Sequence, residues 1–538
     1  MKKTQNDLEY LQIGRIVGGS LSEGLVLKID SEIDRELVFS GRFVCIVEGK
    51  KNFFSIISDL TLESSDPELL SSLPGVQEKL FAKIYRKKFL FKTACIKPML
   101  VVENDKISGA VRTIPEHFAP VFLAKESDIE KVFGLDGAQD GKFLYVGNPL
   151  GMEAKVCLDL SAFAERSNGI FGKTGTGKTF ITRIILAGLM KSGQAVNLIF
   201  DMHSEYGGQA RSENPGSGFV QGLKNLMPER VAVFSLDPES TLKRGIAADF
   251  VVNFNMNQIG IEDVVLLSEE LSLHSTAFEA AFLLSRTFGQ EWLTILLESS
   301  AELKELAARV GAHAESLAAL YRKLKRFEKF DFIKKTVAGK PIAQTIVDYL
   351  DRGINVVLEF GRHSSMLAYL LVSGIITREI HRSWVAKTEK FLSTKDIKDQ
   401  PRKLMITIEE AHKFLNPQAA KQTIFGMIAR EMRKYFVSLL VVDQRPSGID
   451  GEVLSQLGTK IVAQLNDEKD ISAVLTGVRN SSEIKAILST LGPKKEAVLM
   501  GYAVPMPIAV TTRNYDEEFF RYISGPQKSQ KTLIDELF

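Results

Sequence analysis

The sequence predicts an α/β fold preceded by a small β-barrel and interrupted by a helical insert, and three observations carry that prediction. The first is Gly172-Lys173-Thr174-Gly175-Thr176-Gly177-Lys178-Thr179, a Gly-x4-Gly-Lys-Thr loop with apolar sequence before it and a helix-forming run after it. The second is a set of short apolar runs, Val196 to Phe200, Leu404 to Ile408 and Val437 to Val442, each ending in acidic or polar residues. Runs of that kind read as buried parallel strands whose carboxyl ends carry the site. The third is the change of pattern on either side: broken β-like runs before residue 126, helical periodicity from about 258 to 349.

Between Ile13 and Val121, runs such as Gly24 to Ile29, Phe43 to Val47, Phe53 to Ile57, Ala94 to Ile96 and Met99 to Val102 are separated by Gly, Ser, Asp and Pro. That spacing predicts a small barrel. The interval from Ser64 to Leu80 lacks strand character, and a linker is expected over Ser127 to Gly141. No nucleophilic or charged constellation falls in this part, so it reads as an assembly or binding module.

The loop's chemistry dictates its spacing. Glycines let successive backbone N–H groups curl around a polyphosphate, Lys178 reaches the β and γ phosphates, and Thr179 offers a hydroxyl to Mg2+. A helix must follow so that its N-terminus also faces the anion, and Ile181, Ile184, Ile185 and Leu189 recur at helical spacing beyond Phe180. Gly172 through Phe180 are the expected ATP contacts, with Mg2+ as the companion ion.

The strand Val196 to Phe200 runs into Asp201-Met202-His203-Ser204-Glu205-Tyr206, where Asp201 and Glu205 are placed to reach the phosphates and Asp201 is expected at the metal. His203, without partners at ligand spacing, reads as structural. After the helical stretch, Tyr321 to Phe330 mixes cations with aromatics; a solvated amphipathic helix is favoured there over a phosphate track. The sheet resumes at Ile354 to Phe360, and a polar linker is expected from Thr388 to Arg402. Leu404 to Ile408 then delivers Glu409-Glu410-Ala411-His412. The first acid, Glu409, is expected in the Mg2+ shell, and the second, Glu410, on the attacking water. Gln422 to Tyr435 reads as a helix with Arg430, Arg433 and Lys434 on one face. Val437 to Val442 ends in Asp443-Gln444-Arg445-Pro446, where Gln444 occupies the place of a γ-phosphate sensor. Two further strands, near Lys460 to Gln464 and Ala497 to Met500, precede a Pro-punctuated tail.

At 538 residues, 68 Lys+Arg against 66 Asp+Glu leave a net charge of +2, so any polyanion site has to be a local patch. The three cysteines, Cys45, Cys95 and Cys157, are too dispersed for a zinc module or disulfide framework. A polar start and the lack of a long apolar run point to a cytoplasmic protein without a membrane anchor. No Asn-Lys-x-Asp motif follows the loop, which disfavours a small GTPase, and no Leu-Ser-Gly-Gly-Gln segment exists, which disfavours an ABC ATPase.

Taken in order, Ile13 to Gly18, the phosphate loop, Asp201 to Tyr206, Glu409-Glu410-Ala411-His412, Ala429 to Tyr435 and Gln444-Arg445-Pro446-Ser447 resemble the HerA family of ring-forming DNA translocases, within the wider group that includes FtsK. The resemblance implies a RecA-like P-loop ATPase core in two parts, residues 127–257 and 351–503, around a helical insert at 258–350. A HAS-barrel-like domain is implied at 1–126 and a C-terminal brace at 504–538. It further implies a homo-hexamer around double-stranded DNA, an arginine given in trans, with Arg433 favoured over Arg430, and a partner nuclease or other effector in end resection or anti-phage defence. The family usually carries Pro and Gly where this chain has Met202 and Ser204, and Gly where it has Met432 and Phe436. Two other expectations stand beside the motor: an ATP-gated ring scaffold regulating an effector, and a ring ATPase that moves protein.

Overall fold

A computed structural model describes residues 11–65, 90–104, 106–211, 219–478 and 481–525. The N-terminal strands β1 (Gln12–Ser20), β2 (Gly24–Ile29), β3 (Phe43–Glu48), β4 (Lys51–Ser64), β5 (Leu90–Glu103), β6 (Lys106–Ala110) and β7 (Pro120–Leu123) pair antiparallel in the order β2-β1-β7-β3-β4-β5-β6. Pairing of β2 with β5 closes six of them into a barrel and leaves β6 as a flap on β5. Closure follows from alternation: Ile13, Leu25, Leu27, Val44, Ile46, Phe53, Ile96 and Val121 all point to one buried interior. Most of the Ser64 to Leu80 interval lies outside the described residues.

The stretch expected to be a linker is instead helix α1 (Glu126–Phe133) and a short turn of helix. Its Ile129, Val132 and Phe133 are buried, and Phe133 meets Phe43 of the barrel edge to face, with ring centroids 6.4 Å apart. Apolar residues three and four apart made this segment a clasp between barrel and core rather than a tether.

The remaining strands are β8 (Phe143–Pro149), β9 (Val156–Asp159), β10 (Asn168–Phe171), β11 (Val196–Asp201), a ribbon of β12 (Ala210–Arg211) and β13 (Phe219–Val220), β14 (Val231–Ser235), β15 (Phe250–Val251), a ribbon of β16 (Phe254–Asn255) and β17 (Ile333–Lys334), β18 (Asn355–Glu359), β19 (Leu404–Glu409), β20 (Val437–Asp443), β21 (Thr459–Ala463), β22 (Glu496–Gly501) and β23 (Ile508–Thr512). Twelve of them form one sheet, β15-β14-β18-β11-β19-β20-β10-β21-β22-β23-β8-β9. The pairings are parallel from β15 through β21 and antiparallel beyond. Alternate residues of the central strands feed two cores. Leu198, Phe200, Ile406, Ile408, Leu439 and Val441 face one, whereas Ile199, Met405, Leu440 and Val442 face the other. A sheet covered on both faces needs such continuous apolar runs. Cys45 and Cys157 are buried in the second core's neighbourhood, and all three cysteines are free.

The phosphate-loop helix α2 (Lys178–Ser192) is buried from Ile181 through Met190, on every side rather than along one stripe. One cover is β8, since a Cβ on Gly188 would lie 2.5 Å from Leu144. The other face of the sheet carries the insert, α3 (Ile261–Leu266), α4 (Ser275–Phe288), α5 (Trp292–Glu298), α6 (Leu303–Val310), α7 (Ala314–Leu324) and α8 (Ile342–Asp351). In its basic segment Leu324 and Phe327 are buried, while Arg322, Lys325, Arg326 and Lys329 face solvent.

Three further expectations need correction. The polar linker from Thr388 begins inside helix α9 (Met366–Thr394), which is anchored by Trp384 donating to the Arg402 carbonyl at 3.0 Å. The tail after Val504 contains β23, wedged between β22 and β8, and α11 (Glu517–Ser524), so residues 508–524 belong to the core. The helix over Gln422 to Tyr435 is α10 (Ile424–Glu431) followed by a tighter 3-10 turn, Met432–Tyr435, and Phe436 in the left-handed region at φ 63°. Tightening from 3.6 to 3.0 residues per turn separates residues that an α-helix would align.

Gly426 sets how α10 packs, because a Cβ there would lie 1.8 Å from the Ala420 carbonyl oxygen, a backbone atom that cannot swing aside. Gly426→Ala should therefore destabilise the fold by about 1–3 kcal/mol, read as a lowered denaturant midpoint; an unchanged midpoint would show that the 419–422 turn is free to move.

Candidate active site

The P-loop leaves the end of β10, whose Phe171 pairs with Asp443 of β20 and Val462 of β21. Gly175 and Gly177 stand at φ 79° and 97°, conformations that favour glycine, and no atom lies within 4 Å of where their Cβ atoms would be. The result is an open concavity at the N-terminus of α2. Within it the Lys178 ammonium donates to the Lys173 carbonyl at 2.9 Å, and Thr176 Oγ1 donates to the same oxygen at 2.8 Å. Gly172 and Lys173 are tied by their N–H groups to the Asp443 and Gln464 carbonyls. Lys173 Nζ reaches Asn466 Oδ1 at 3.5 Å. Phe180 turns away from the loop toward Tyr515, ring centroids 6.1 Å apart, with the Arg183 guanidinium over it.

Three adjacent strands, β18, β11 and β19, end in Glu359, Asp201 and Glu409, all buried. Asp201 accepts the N–H groups of Glu205 and Tyr206 at 2.7 and 2.8 Å and of Gly207 at 3.2 Å, and it has no solvent exposure. It organises its own loop. Asp201, expected at the metal, has both oxygens engaged by its own loop, whereas Glu205 Oε2 accepts from Thr179 Oγ1 at 2.8 Å. A carboxylate ending a buried strand is read as a ligand when nothing in the sequence shows that the following turn will take both its oxygens.

Glu409 is held by two buried tyrosines: Tyr206 donates to its Oε1 at 3.0 Å, and its own N–H donates to Tyr369 at 3.0 Å. Its Oε2 is buried with no hydrogen-bond partner. That orphaned oxygen, together with Glu205 and the Thr179 hydroxyl, is a set of hard oxygen donors that fits Mg2+. Burial first, then the Asp201 and Glu205 charges, pushes the Glu409 carboxyl up to about 8. Burial and Asp201 likewise raise Glu359 to about 7, and burial raises Asp201. Glu359, which accepts from Thr241 at 2.7 Å, was not singled out by sequence, although it ends an apolar strand as Glu409 does.

β19 is not next to the P-loop strand; β20 lies between them. Gln444, just past β20, therefore touches the loop directly, accepting from Thr174 Oγ1 at 2.6 Å. Glu410 follows Glu409 in the left-handed region at φ 48°, which turns its carboxylate from the line of the strand. Its Oε2 lies 3.6 Å from His412 Nδ1, and the same nitrogen lies 3.0 Å from Asp443 Oδ2. Arg430 and Arg433, expected on one face, are separated by the 3-10 turn. Arg430 donates to the Ala420 carbonyl at 2.6 Å, whereas Arg433 is exposed.

A phosphate loop beside β20, with a glutamate pair at the end of the next strand, makes this a RecA-like P-loop ATPase. Residues 144–380 match the family model described as the central domain of helicase HerA. The DNA double-strand break repair helicase HerA of Pyrococcus furiosus is 22% identical over 421 residues, 74% of this chain and 73% of that protein. The protein of the same name from Sulfurisphaera tokodaii is 24% identical over 518 residues, 94% of this chain and 93% of that one. Among solved structures, VirB4 of Thermoanaerobacter pseudethanolicus aligns with a TM-score of 0.46 at 15% identity, over 71% of this chain and 99% of that one. Residues 144–380 thus carry a domain similar to the central domain of helicase HerA, and the chain is an ATP-hydrolysing enzyme. No helix among the described residues is long and apolar enough to cross a membrane.

Glu409 also makes the metal-free protein pH-sensitive. Its carboxyl ionises near 4.5 when unfolded and near 8 when folded, so between those values the native state binds the extra proton and stability falls as pH rises. Glu409→Gln should make that slope shallower and raise the melting temperature of the metal-free protein at pH 8, with Asp201 and Glu359 supplying the slope that remains. A slope equal to the parent's would show that Glu409 ionises freely in the fold.

Proposed function

We propose that this protein is an ATP-driven ring motor on double-stranded DNA, with Mg2+ as cofactor and a nuclease or other effector as partner. The observation that carries the reading is Arg433: its side chain is exposed, and among the described residues it makes no hydrogen bond or ion pair within its own subunit. The relatives that bear the name DNA double-strand break repair helicase support DNA as the substrate tracked.

On this reading Lys178 exchanges the Lys173 carbonyl for β and γ phosphate oxygens, and the loop N–H groups hold the remainder of the chain of phosphates. Mg2+, when bound by Thr179, Glu409 and Glu205, would neutralise charge on the β and γ oxygens. Glu410 accepts a proton from the water as that water attacks the γ-phosphorus, the bond to the bridging oxygen breaks, and ADP and phosphate leave. Gln444 senses the γ-phosphate through its place against Thr174. Arg433 of a neighbouring copy enters the same space and holds the charge spreading over the γ oxygens; a planar guanidinium suits that task better than an ammonium. Arg430, bound to Ala420 O, positions the helix that carries it.

Hydrolysis should rise on adding duplex DNA; stimulation by a protein partner alone would favour the gated scaffold instead. Lys178→Ala should abolish hydrolysis, and Glu410→Gln should retain ATP binding with turnover lost; turnover at the parent rate would remove Glu410 from the water.

Light scattering should show a hexamer-sized particle, and monomer alone at micromolar concentration with nucleotide present would overturn the ring. Arg433→Ala subunits, inactive by about a thousandfold, should regain hydrolysis when mixed with Lys178→Ala subunits, because some interfaces then join an intact loop to an intact arginine. No rescue in confirmed mixed rings would return Arg433 to its own subunit.

A further inference from the structure

Three polar groups meet behind the P-loop in a way that hydrolysis by Glu410 alone does not require. Asp443, at the end of β20 and 1% exposed, accepts the His412 backbone N–H on Oδ2 at 2.6 Å and the Arg445 N–H on Oδ1 at 2.6 Å. The His412 ring lies on the same carboxylate, with Nδ1 at 3.0 Å from Oδ2 and 3.2 Å from Oδ1. Nδ1 is also 3.6 Å from Glu410 Oε2, a charge contact rather than a hydrogen bond. Gly448 in the turn after Gln444 closes over the ring, since a Cβ there would meet His412 Cβ at 3.1 Å.

We infer that His412, fixed by Asp443, is a positioning residue that holds Glu410 in register with Gln444 and the P-loop. The inference rests on Glu410 being the group that acts on water. Two features of Glu410 demand such a holder. Its backbone sits in the left-handed region at φ 48°, a conformation that a non-glycine residue keeps only when its surroundings enforce it. Its side chain, unlike that of Glu409, makes no hydrogen bond among the described residues and is 27% exposed, so rotamer freedom would carry the carboxylate off the line of attack. Asp443 supplies rigidity because it is buried and takes two backbone N–H groups that cross from β20 to both following turns.

The connection also has a direction. Asp443 and Gln444 are consecutive, and Gln444 accepts from Thr174 of the loop that holds the γ-phosphate. A shift of Gln444 when the γ-phosphate arrives moves Asp443, and with it the His412 ring against Glu410. The Nδ1–H directed to Asp443 faces Glu410 as well, so the 3.6 Å contact is the one to shorten in the loaded site. Hydrogen bonding to Asp443 accordingly raises the His412 pKa above its ordinary value.

Isosteres separate this role from plain packing. Asn at 412 can place its Nδ2 donor near the position of Nδ1, whereas Gln places its donor near Nε2, which faces neither carboxylate in the contacts above. His412→Ala should lower kcat by about 10- to 100-fold with KM for ATP and binding of a fluorescent ATP analogue unchanged. His412→Asn should recover most of the loss and His412→Gln little of it, at equal melting temperatures. Three results overturn the inference: a parent kcat in His412→Ala, equal rates for the Asn and Gln variants, or a loss confined to KM. If His412→Ala does not fold, the Asn and Gln pair decides alone. Glu410→Gln assayed alongside keeps the two readings apart: if it is inactive while His412→Ala is normal, only the present inference fails, and if it hydrolyses ATP at the parent rate, the role of Glu410 fails first.

Discussion

Buried negative charge is the constraint around which this fold is arranged. Glu359, Asp201 and Glu409 end three neighbouring parallel strands, and the register of β11 with β18 sets Asp201 directly beside Glu359. Carboxylates so placed cannot all ionise in an apolar surrounding. Their neighbours answer in different ways. Asp201 is given three backbone N–H groups, Glu359 a threonine hydroxyl and a distant arginine, and Glu409 a tyrosine hydroxyl on one oxygen only. One oxygen of Glu409 and one of Glu359 are left buried without a hydrogen-bond partner, so a cation bound beside them would relieve the charge that the three strands gather.

Where a residue's chemistry is local, the sequence was legible. The P-loop declares itself because glycine, lysine and threonine at that spacing have few other uses, and the place of Gln444 against the loop follows from its position after an apolar strand. The architecture, barrel, split core and insert, was legible for a similar reason, since periodicity of two and of 3.6 are different patterns. What could not be read was the partner of each side chain. Asp201 and Glu205 are four residues apart on one loop, and only the closing of that turn shows which of them is spent on backbone N–H groups and which reaches Thr179. The separation of Arg430 from Arg433 likewise depends on a helix tightening at Met432, where a helical periodicity gives no warning.

The segments mistaken for linkers have a shared explanation. Residues 127–141 and 388–394 are polar on most of their surface, and composition alone reads such stretches as solvent-exposed connections. In α1 three apolar residues are enough to join the barrel to the sheet, and α9 simply extends past the core with its last turns in solvent. The tail misread after Val504 shows the opposite case, since Ile508–Thr512 is short and closes a gap in the sheet that only the three-dimensional order reveals.

The position of β10 in that order has a consequence for how the molecule is made. Ser167, just before this strand, bonds to Leu439, 272 residues later in the chain, and Asn168 bonds to Thr459, 291 residues later. At a synthesis rate of 5–20 residues per second, the P-loop therefore leaves the ribosome roughly 15 to 60 s before its strand has both neighbours. During that interval α2, buried from Ile181 to Met190 in the finished fold, lacks part of the sheet that covers it. The same topology that centres the nucleotide site therefore leaves this helix without its full cover until late in synthesis.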